Sequence, residues 1–362
     1  MFPRSWPELA SLSYLARLAA LAAVYITTAR CGLLMDAVSG FATTVWPPTG
    51  VSLVALSLFG YRLWPGIAIG ALLVNVSAGA PLLAACGMAA GNTIEAVLGT
   101  YLMRRFTGFQ GSLDRIRVVL GLIVLAAGLS TMMSATIGVT SGWLGGVIPS
   151  ASFGRAWSTW WLGDAMGDLI LAPLLFAWIV PDRTHRPRRR LVEVGALVAS
   201  LVVVSLLVFR AGHASMQAIV LQPYILFPLL IWAALRFRQR GMATAIFLVT
   251  SLAIWGTAQG LGPFARGMVN ESLLSLQAFM GVLAVTMLIL TAGVVERRRA
   301  ELRVRANYSA ARVLADAPSP GEALPGILQT ICENLEWDCG NVWIADVDGG
   351  RLIHAAEWHG SR

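Results

Sequence analysis

The sequence contains no lysine, and only 13% of its 362 residues are charged. Soluble domains carry roughly 25% charged residues. The shortage of charge, with 57% hydrophobic residues and a mean hydropathy of +0.69, indicates a polytopic membrane protein. The net charge of +8 comes from arginines in short loops between apolar runs, a pattern of membrane topology rather than of nucleic-acid binding. We therefore expect the lipid bilayer as a partner, and no nucleic acid.

Cysteine is also scarce, and its spacing excludes the common cysteine motifs. The four cysteines, Cys31, Cys86, Cys332 and Cys339, form no C-x-x-C or C-x-x-C-H pattern. Such patterns are typical of metal sites, redox pairs and haem attachment. The sequence therefore predicts neither a disulfide nor a metal site.

Long apolar runs fill most of the chain. Because about 20 apolar residues cross a bilayer as a helix, the sequence predicts an all-α polytopic membrane protein with a bundle of about ten transmembrane helices. The predicted spans are 12–34, 47–60, 63–79, 82–103, 116–141, 157–180, 191–209, 217–235, 241–260 and 272–295.

Arginines alternate between the loops that join these runs. Alternate loops hold one to five arginines each, whereas the intervening loops together hold only four: Arg30, Arg155, Arg210 and Arg266. Positively charged loops stay in the cytoplasm. An even number of spans in the inner membrane, with both termini cytoplasmic, fits this alternation.

Two carboxylates, Asp164 and Asp168, lie in the sixth run. They are four residues apart and share one face of a helix, beside a G-x-x-x-G ridge of Gly163 and Gly167 that suits close helix packing. Ionisable residues at membrane depth are costly and face the bundle interior. Two interpretations stay open: the pair senses a proton, a metal ion or a cationic ligand, or neighbouring hydroxyls and arginines satisfy it and it only fixes the packing.

The third and fourth spans add polar residues at membrane depth. Asn92 and Glu95 are three residues apart and share a helix face. We expect a sensing or ligand-binding cluster near the midplane, formed by Asn75, Asn92, Glu95, Asp164 and Asp168. Trp46, before the proline-started second span, is interpreted as an interfacial tryptophan. The hydroxyls of the fifth span are expected to bond mainly to their own helix; they belong to Ser130, Thr131, Ser134, Thr136 and Thr140.

Charged residues become frequent after residue 296, and the apolar runs end there. The sequence predicts a cytoplasmic linker helix over 297–317, which continues the tenth span and can transmit a shift or a rotation. A partial α+β segment follows over 318–362. Its predicted elements are a helix over 322–335, a strand over 341–347, a turn at Asp348-Gly349-Gly350 and a strand over 351–358. This core is too small for an independent domain, so we expect the chain to stop inside a domain.

Several short motifs lie in order across residues 12–296. They are Trp46-Pro47-Pro48-Thr49-Gly50, Phe59-Gly60-Tyr61-Arg62 with Trp64-Pro65-Gly66, Gly91-Asn92-Thr93-Ile94-Glu95-Ala96, Ser134-Ala135-Thr136-Ile137-Gly138, Trp160-Trp161-Leu162-Gly163-Asp164-Ala165 with Ala172-Pro173, and Leu261-Gly262-Pro263-Phe264. Together they resemble the bacterial membrane-associated sensor domain of the first type, a MASE-type integral membrane sensor. Residues from about 308 resemble the start of a GAF domain, a small-molecule-binding module that often follows such a sensor.

The resemblance implies the input domain of a sensor histidine kinase, in a two-component system, or of a cyclic di-GMP enzyme. The sequence departs from either in its output: it has no G-G-D-E-F stretch and no glycine-rich ATP box. Its histidines lie in loops or strands rather than on an amphipathic dimerisation helix. We therefore expect no catalytic residue and no cofactor, a fragment of a longer sensor or a truncated gene product, and a homodimer, because both kinds of output usually work as dimers.

A secondary transporter is the alternative. Ten spans with acidic residues at depth also suit proton or cation coupling. A transporter has no need for a charged linker helix leading into a sensor-like domain, whereas a signalling input does. The sequence therefore favours a sensor of an unknown small ligand or ion.

Overall fold

The computed structural model describes residues 13–34, 44–180, 188–210, 222–265, 269–335, 337–345 and 350–360. It is about 81% helical. The described residues before 317 form ten helices, several of which contain short 3₁₀ or π stretches. They are α1 Tyr14–Leu34, α2 Pro47–Phe59, α3 Trp64–Ser77, α4 Leu82–Thr107, α5 Ile116–Leu144, α6 Ser150–Ile179, α7 Arg188–Arg210, α8 Pro223–Arg236, α9 Gln239–Ala258 and α10 Val269–Asp316.

Six helices in the described part of the chain are long and apolar enough to cross a membrane: α4, α5, α6, α7, α9 and α10. The chain is thus a multi-pass membrane protein. Of the other helices, α1 has 21 residues but is not among these six, whereas α2 has only 13 and α3 only 14. Because a full span needs about 20 residues, the arrangement of ten spans stays a prediction.

Prolines and glycines define several helix ends. Pro47 and Pro48 open α2, where the missing N–H groups have no partner within the helix in any case. Gly60 ends this helix at a φ of 100°, which only glycine adopts without strain. Inside α6, Pro173 lacks the N–H that would bond to the carbonyl of Leu169. The helix accordingly widens into a π stretch over Gly167–Leu171 just before this proline.

The sixth helix begins earlier than predicted. The sequence placed its start at residue 157, but α6 begins with a 3₁₀ turn at Ser150, directly after Pro149. The hydroxyls of Ser158 and Thr159 in the turns that follow both bond to the carbonyl of Arg155 within the helix. Local hydrogen bonding therefore allows polar residues in the first turns of α6.

Glycines bring the first five helices close together. A Cβ atom on Gly66 or Gly70 of α3 would lie 2.9 Å from atoms of α1. One on Gly91 of α4 would lie 3.2 Å from the carbonyl oxygen of Ser134 in α5, and Gly87 of α4 abuts Ser141. These are the close backbone approaches expected of small residues at four-residue spacing, and they position the polar side chains described below.

The chain divides into two compact units, Met1–Gly293 and Val294–Arg362. The second unit contains the end of α10, helix α11 (Pro320–Asn334) and an antiparallel hairpin of β1 (Cys339–Ala345) and β2 (Leu352–His359). The Ser319 hydroxyl caps α11 by accepting the N–H of Glu322 at 3.4 Å. One helix and two strands were predicted here within three residues of these bounds; most of the predicted turn lies outside the described residues.

The core of the second unit is small. It consists of Leu328 and Cys332 from α11 and Ala356 from β2. Burial raises the pKa of the Cys332 thiol, and the nearby Cys339 raises it further. In contrast, Trp343, Ile344 and other apolar residues of the hairpin are exposed. The described hairpin therefore leaves most of its apolar side chains without a partner.

Candidate functional site

The two carboxylates of α6 lie in the middle of a long buried helix. Asp164 is 14 residues from Ser150 and 15 from Ile179, so about 21 Å of helix lies on either side of it at 1.5 Å per residue. Glu95 has the same central position in α4. The exposed fractions are 1% for Asp164, 1% for Asp168 and 3% for Glu95, so all three carboxyl groups are buried.

The N-terminus of α2 lies against this part of α6. The backbone N–H of Trp46 donates to the carbonyl oxygen of Gly163 at 2.9 Å, and the Thr49 hydroxyl donates to Oδ1 of Asp164 at 3.1 Å. Asp164 therefore faces the positive end of the α2 dipole, where a negative charge is stabilised.

Glycine makes this approach possible. A Cβ atom on Gly167 would overlap the carbonyl oxygen of Trp46, and one on Gly50 of α2 would lie 2.5 Å from the carbonyl oxygen of Gly167. Gly163 is buried as well. The predicted ridge of Gly163 and Gly167 thus contacts the backbone at the start of α2.

A chain of hydrogen bonds extends from this point across α4 and α5 to α1. The Asn92 amide donates to the Tyr25 hydroxyl at 2.8 Å, and the Ser134 hydroxyl donates to the Asn92 carbonyl oxygen at 2.9 Å. The indole N–H of Trp160 donates to the Ser134 hydroxyl at 3.3 Å. We call these residues, with Thr49 and the three carboxylates, the polar network.

Carboxyl groups of two helices meet inside the polar network. Glu95 of α4 and Asp164 of α6 are within hydrogen-bond reach of each other, and both are within reach of Ser134. Asp168 is near enough to Asp164 to interact with its charge. One oxygen of each carboxyl group has no hydrogen-bond partner in the structure: Oε1 of Glu95, Oδ2 of Asp164 and Oδ1 of Asp168.

Within the described residues, no arginine or histidine forms an ion pair with these carboxylates. The same residues contain no group of three His, Cys, Asp or Glu side chains arranged to hold a metal ion. The negative charge of the site is therefore met by hydroxyls, an indole and a helix N-terminus.

Asn75 is not part of the polar network. Its amide donates to the carbonyl oxygen of Ala71, one turn earlier in α3, at 2.9 Å. Ser130, Thr131 and Thr136 of α5 likewise bond to their own helix. The structure thus brings together Asn92, Glu95, Asp164 and Asp168 of the five predicted residues.

The sequence profile of one family covers most of the membrane unit: the MASE1 profile matches residues 15–298. The chain belongs to the MASE1 family. Residues 15–298 therefore form a MASE1 membrane sensor domain, and every residue of the polar network lies inside it.

One curated protein similar to this MASE1 chain is the probable diguanylate cyclase DgcE of Escherichia coli (strain K12). The two are 29% identical over 220 residues, a stretch that covers 58% of this chain and 18% of that protein. The chain thus spans less than a fifth of the relative's length in the match. No solved structure matches the chain.

Four of the motifs that carried the resemblance to MASE-type sensors meet in the polar network. Thr49 comes from the first, Asn92 and Glu95 from the third, Ser134 from the fourth, and Trp160 with Asp164 from the fifth. These motifs are far apart in the sequence. The fold of this chain therefore brings residues from four of the motifs together around one buried site.

Sequence reasoning missed Tyr25 and Thr49 and gave Ser134 little weight. Thr49 is the third residue of a helix that starts with two prolines. This position could have indicated its role, because a hydroxyl there lies next to the helix N-terminus. The interpretation of Trp46 as interfacial stays a prediction, but the structure gives its backbone a further role. Its backbone N–H bonds to Gly163, midway along α6, because α2 begins beside the middle of that helix.

Proposed function

We propose that this chain is the sensory input module of a bacterial signalling protein and that the stimulus acts at the polar network. The proposed parts are an integral membrane sensor over 12–296, a cytoplasmic linker helix over 297–317 and the N-terminal part of a GAF-like domain over 318–362. The arginine alternation supports ten spans in the inner membrane with both termini in the cytoplasm.

One observation carries this proposal: a contact between the site and the helix that leaves the membrane unit. The Gln277 amide of α10 donates to the carbonyl oxygen of Thr44 at 3.1 Å. Thr44 lies two residues before Trp46, whose N–H and carbonyl contact Gly163 and Gly167. Gln277 is 1% exposed. A shift of α2 against α6 would therefore also move the Thr44 carbonyl oxygen, which accepts the hydrogen bond from Gln277 of α10.

Helix α10 has the length and composition of a signal helix. It contains 48 residues without a break, whereas a span needs about 20. Its second half contains Arg297, Arg298 and Arg299, which suit contact with anionic headgroups or water. A continuous helix transmits rotation and translation, so α10 is suited to carry a change at the polar network to an output domain.

A cyclic di-GMP enzyme is the output that the comparison favours. The Escherichia coli protein to which this chain is similar is a probable diguanylate cyclase; a histidine kinase is the second choice. Outputs of both kinds work as dimers, so we propose that the chain forms a homodimer.

A GAF-like domain fits the second unit. Its hairpin exposes apolar residues at 50–68%, namely Trp343, Ile344, Leu352 and Ile353. A lone hairpin is marginally stable, and these side chains suit burial in a larger α+β domain. A domain of that class would also suit binding of a small molecule in the cytoplasm.

An insertion series tests the role of α10. One to four residues are inserted between Val295 and Leu302 in a fusion of the chain to a diguanylate cyclase reporter. Each residue rotates the rest of the helix by about 100°, so cyclic di-GMP production should rise and fall through the series. The matched control is the same series inserted after Ala317, beyond the end of α10. Constant output through the first series would show that α10 is only a tether.

A substitution tests the contact itself. Gln277→Leu removes the donor to Thr44 and should leave the fusion folded. In this fusion, the addition of Asp164→Asn should no longer change cyclase output. Ser275→Ala is the matched control, because the Ser275 hydroxyl is exposed and bonds only to its own helix at Ser272. A Gln277→Leu fusion that still responds to Asp164→Asn as the unchanged fusion does would refute this route.

A further inference from the structure

The geometry points to a proton as the ligand of the polar network: we infer that Glu95 and Asp164 bind one proton between them. The inference rests on the proposed function, because it names what the sensing site takes up. It concerns a site built from two helices, with three buried carboxyl oxygens that accept no hydrogen bond.

The first step is the contact between the two carboxyl groups. Two ionised carboxylates at hydrogen-bond distance repel each other strongly in a buried site. A proton between them turns this repulsion into a charge-assisted hydrogen bond, which is short and strong. Binding of one proton changes the charge of the pair from −2 to −1, and no other bond is made or broken.

The second step assigns the proton to Glu95. Asp164 accepts the Thr49 hydroxyl at 3.1 Å and faces the N-terminus of α2, and both features stabilise its ionised form. Glu95 lacks such a helix end. Because each of the two carboxyl groups has one oxygen without a donor, the Thr49 hydroxyl and the helix end make the difference between them. Glu95 is therefore the donor of the shared hydrogen bond and Asp164 the acceptor.

The third step considers every element packed around the pair. Among the residues that the structure describes, Tyr25 of α1 and Asp168 of α6 are the other titratable groups that face it. The Tyr25 hydroxyl accepts a hydrogen bond from the Asn92 amide. Any negative charge on Asp168 would lie beside Asp164 and would favour retention of the proton by the pair. Thr49, Ser134 and Trp160 contribute uncharged donors from α2, α5 and α6.

Loss of the proton has a mechanical consequence. Glu95 and Asp164 belong to different helices, so two facing carboxylates push α4 and α6 apart. Asp164 is also bonded to Thr49 of α2, the helix that follows the Thr44 contact of α10. Deprotonation at high pH would therefore reach the signal helix through the start of α2.

Infrared spectroscopy of the full chain in nanodiscs tests the site directly. The C=O stretching band of a protonated carboxyl group should be present at neutral pH and disappear as the pH rises. In an Asp168→Asn background, which removes the other buried carboxyl group beside the pair, Glu95→Gln should remove this band, and Asp164→Asn should shift its frequency by replacing the charged acceptor with a neutral amide. Glu333→Gln is the matched control: this exposed carboxylate lies in the second unit, and its loss should leave the band unchanged.

Two results would overturn the inference. One is a band that persists in Glu95→Gln in the Asp168→Asn background, or a band that is absent from the unchanged protein at every pH. The other is a band that sodium abolishes at constant pH, which would make a metal cation the ligand. If Glu95→Gln does not fold, the pH titration of the unchanged protein and the band shift in Asp164→Asn still decide the question.

A cyclase reporter fused to the chain separates this inference from the proposed function. Output that follows pH in the unchanged fusion and is constant in Glu95→Gln supports both. If the infrared band titrates but output is the same in both fusions, the proton site stands and its sensory role fails. If output depends on Asp164 while no band exists, the sensor stands and the proton is refuted.

Discussion

Helices α6 and α7 are both apolar enough to span a membrane, but their carboxylates differ in burial and in whether an arginine pairs with them. In α6, 67% of the most apolar stretch is buried, compared with 28% in α7. The two aspartates of α6 lie mid-helix without an arginine or histidine partner in the described structure. The one described carboxylate of α7, Glu193, lies near the helix start and pairs with Arg236 at 2.7 and 2.8 Å.

The difference teaches how solvent access decides the partner of a charge. Glu193 and Arg236 keep 35% and 45% of their side chains exposed, so water shares the cost of both charges. Asp164 has no such access, and a fixed cation beside it would cancel any response to its surroundings. Hydroxyls and a second carboxyl group leave the charge of α6 free to change.

The largest expected effect comes from filling the glycine contact in α6. Gly167→Leu would force its side chain into the Trp46 carbonyl. Overpacking costs about 1–3 kcal/mol where side chains can yield, and a backbone yields less, so we expect little folded protein. Gly163→Leu should act in the same direction. The measurement is the monodisperse fraction after detergent extraction, together with the melting temperature.

Gly195→Leu in α7 is the control for this prediction. A Cβ atom on Gly195 meets nothing within 4 Å, and the residue is exposed, so the variant should extract and melt as the unchanged protein does. Equal yields for Gly167→Leu and Gly195→Leu would show that α6 is no more closely packed than α7.

An intermediate effect is expected from neutralising the α6 carboxylates. Asp164→Asn keeps the size of the side chain and an oxygen for the Thr49 hydroxyl, so the protein should insert and fold while cyclase output is fixed in one state. Asp168→Asn should do the same or shift the pH response. Output normalised to expression is the measurement. A purely structural role predicts loss of folded protein instead, and a fully expressed double Asn variant with normal responses would end the sensing hypothesis.

The smallest effect is expected at the exposed pair. Glu193→Gln removes an ion pair that water already screens, and such pairs contribute little to stability. The melting temperature and the reporter output should stay unchanged, and salt should not alter this result. A loss of output as large as that of Asp164→Asn would remove the distinction between the two helices.

Local signals predicted the helices well but the site only in part. Apolar runs and prolines predicted the start of α2 at Pro47 and that of α4 at residue 82, because both signals depend only on residues that are adjacent in the sequence. Asn92, Glu95 and Asp164 stood out as polar residues in apolar runs. Tyr25 and Thr49 did not, because their importance depends on which helices touch.

The four-residue spacing of glycines does not by itself determine whether they pack against another helix. Gly256 and Gly260 have the four-residue spacing of a packing ridge, yet only Gly256 contacts another helix, at Phe209. Gly260 lies beyond the end of α9 with a φ of 71° and serves the turn. The same residue type at the same spacing therefore packs in one case and ends a helix in the other.

The π stretch of α6 is a point in the site where the winding of the helix can change. A π turn holds one residue more than an α turn, so its conversion to α-helix would turn the flanking segments by about 100° relative to each other. Asp168 stands inside this stretch, Asp164 just before it, and Pro173 just after it keeps the wider turn in place. Two more π stretches, Met103–Thr107 and Leu122–Ser130, lie in α4 and α5. Helices α4, α5 and α6, which surround the carboxylates, thus each contain a wider π turn. Such a turn can shift along its helix without breaking the helix.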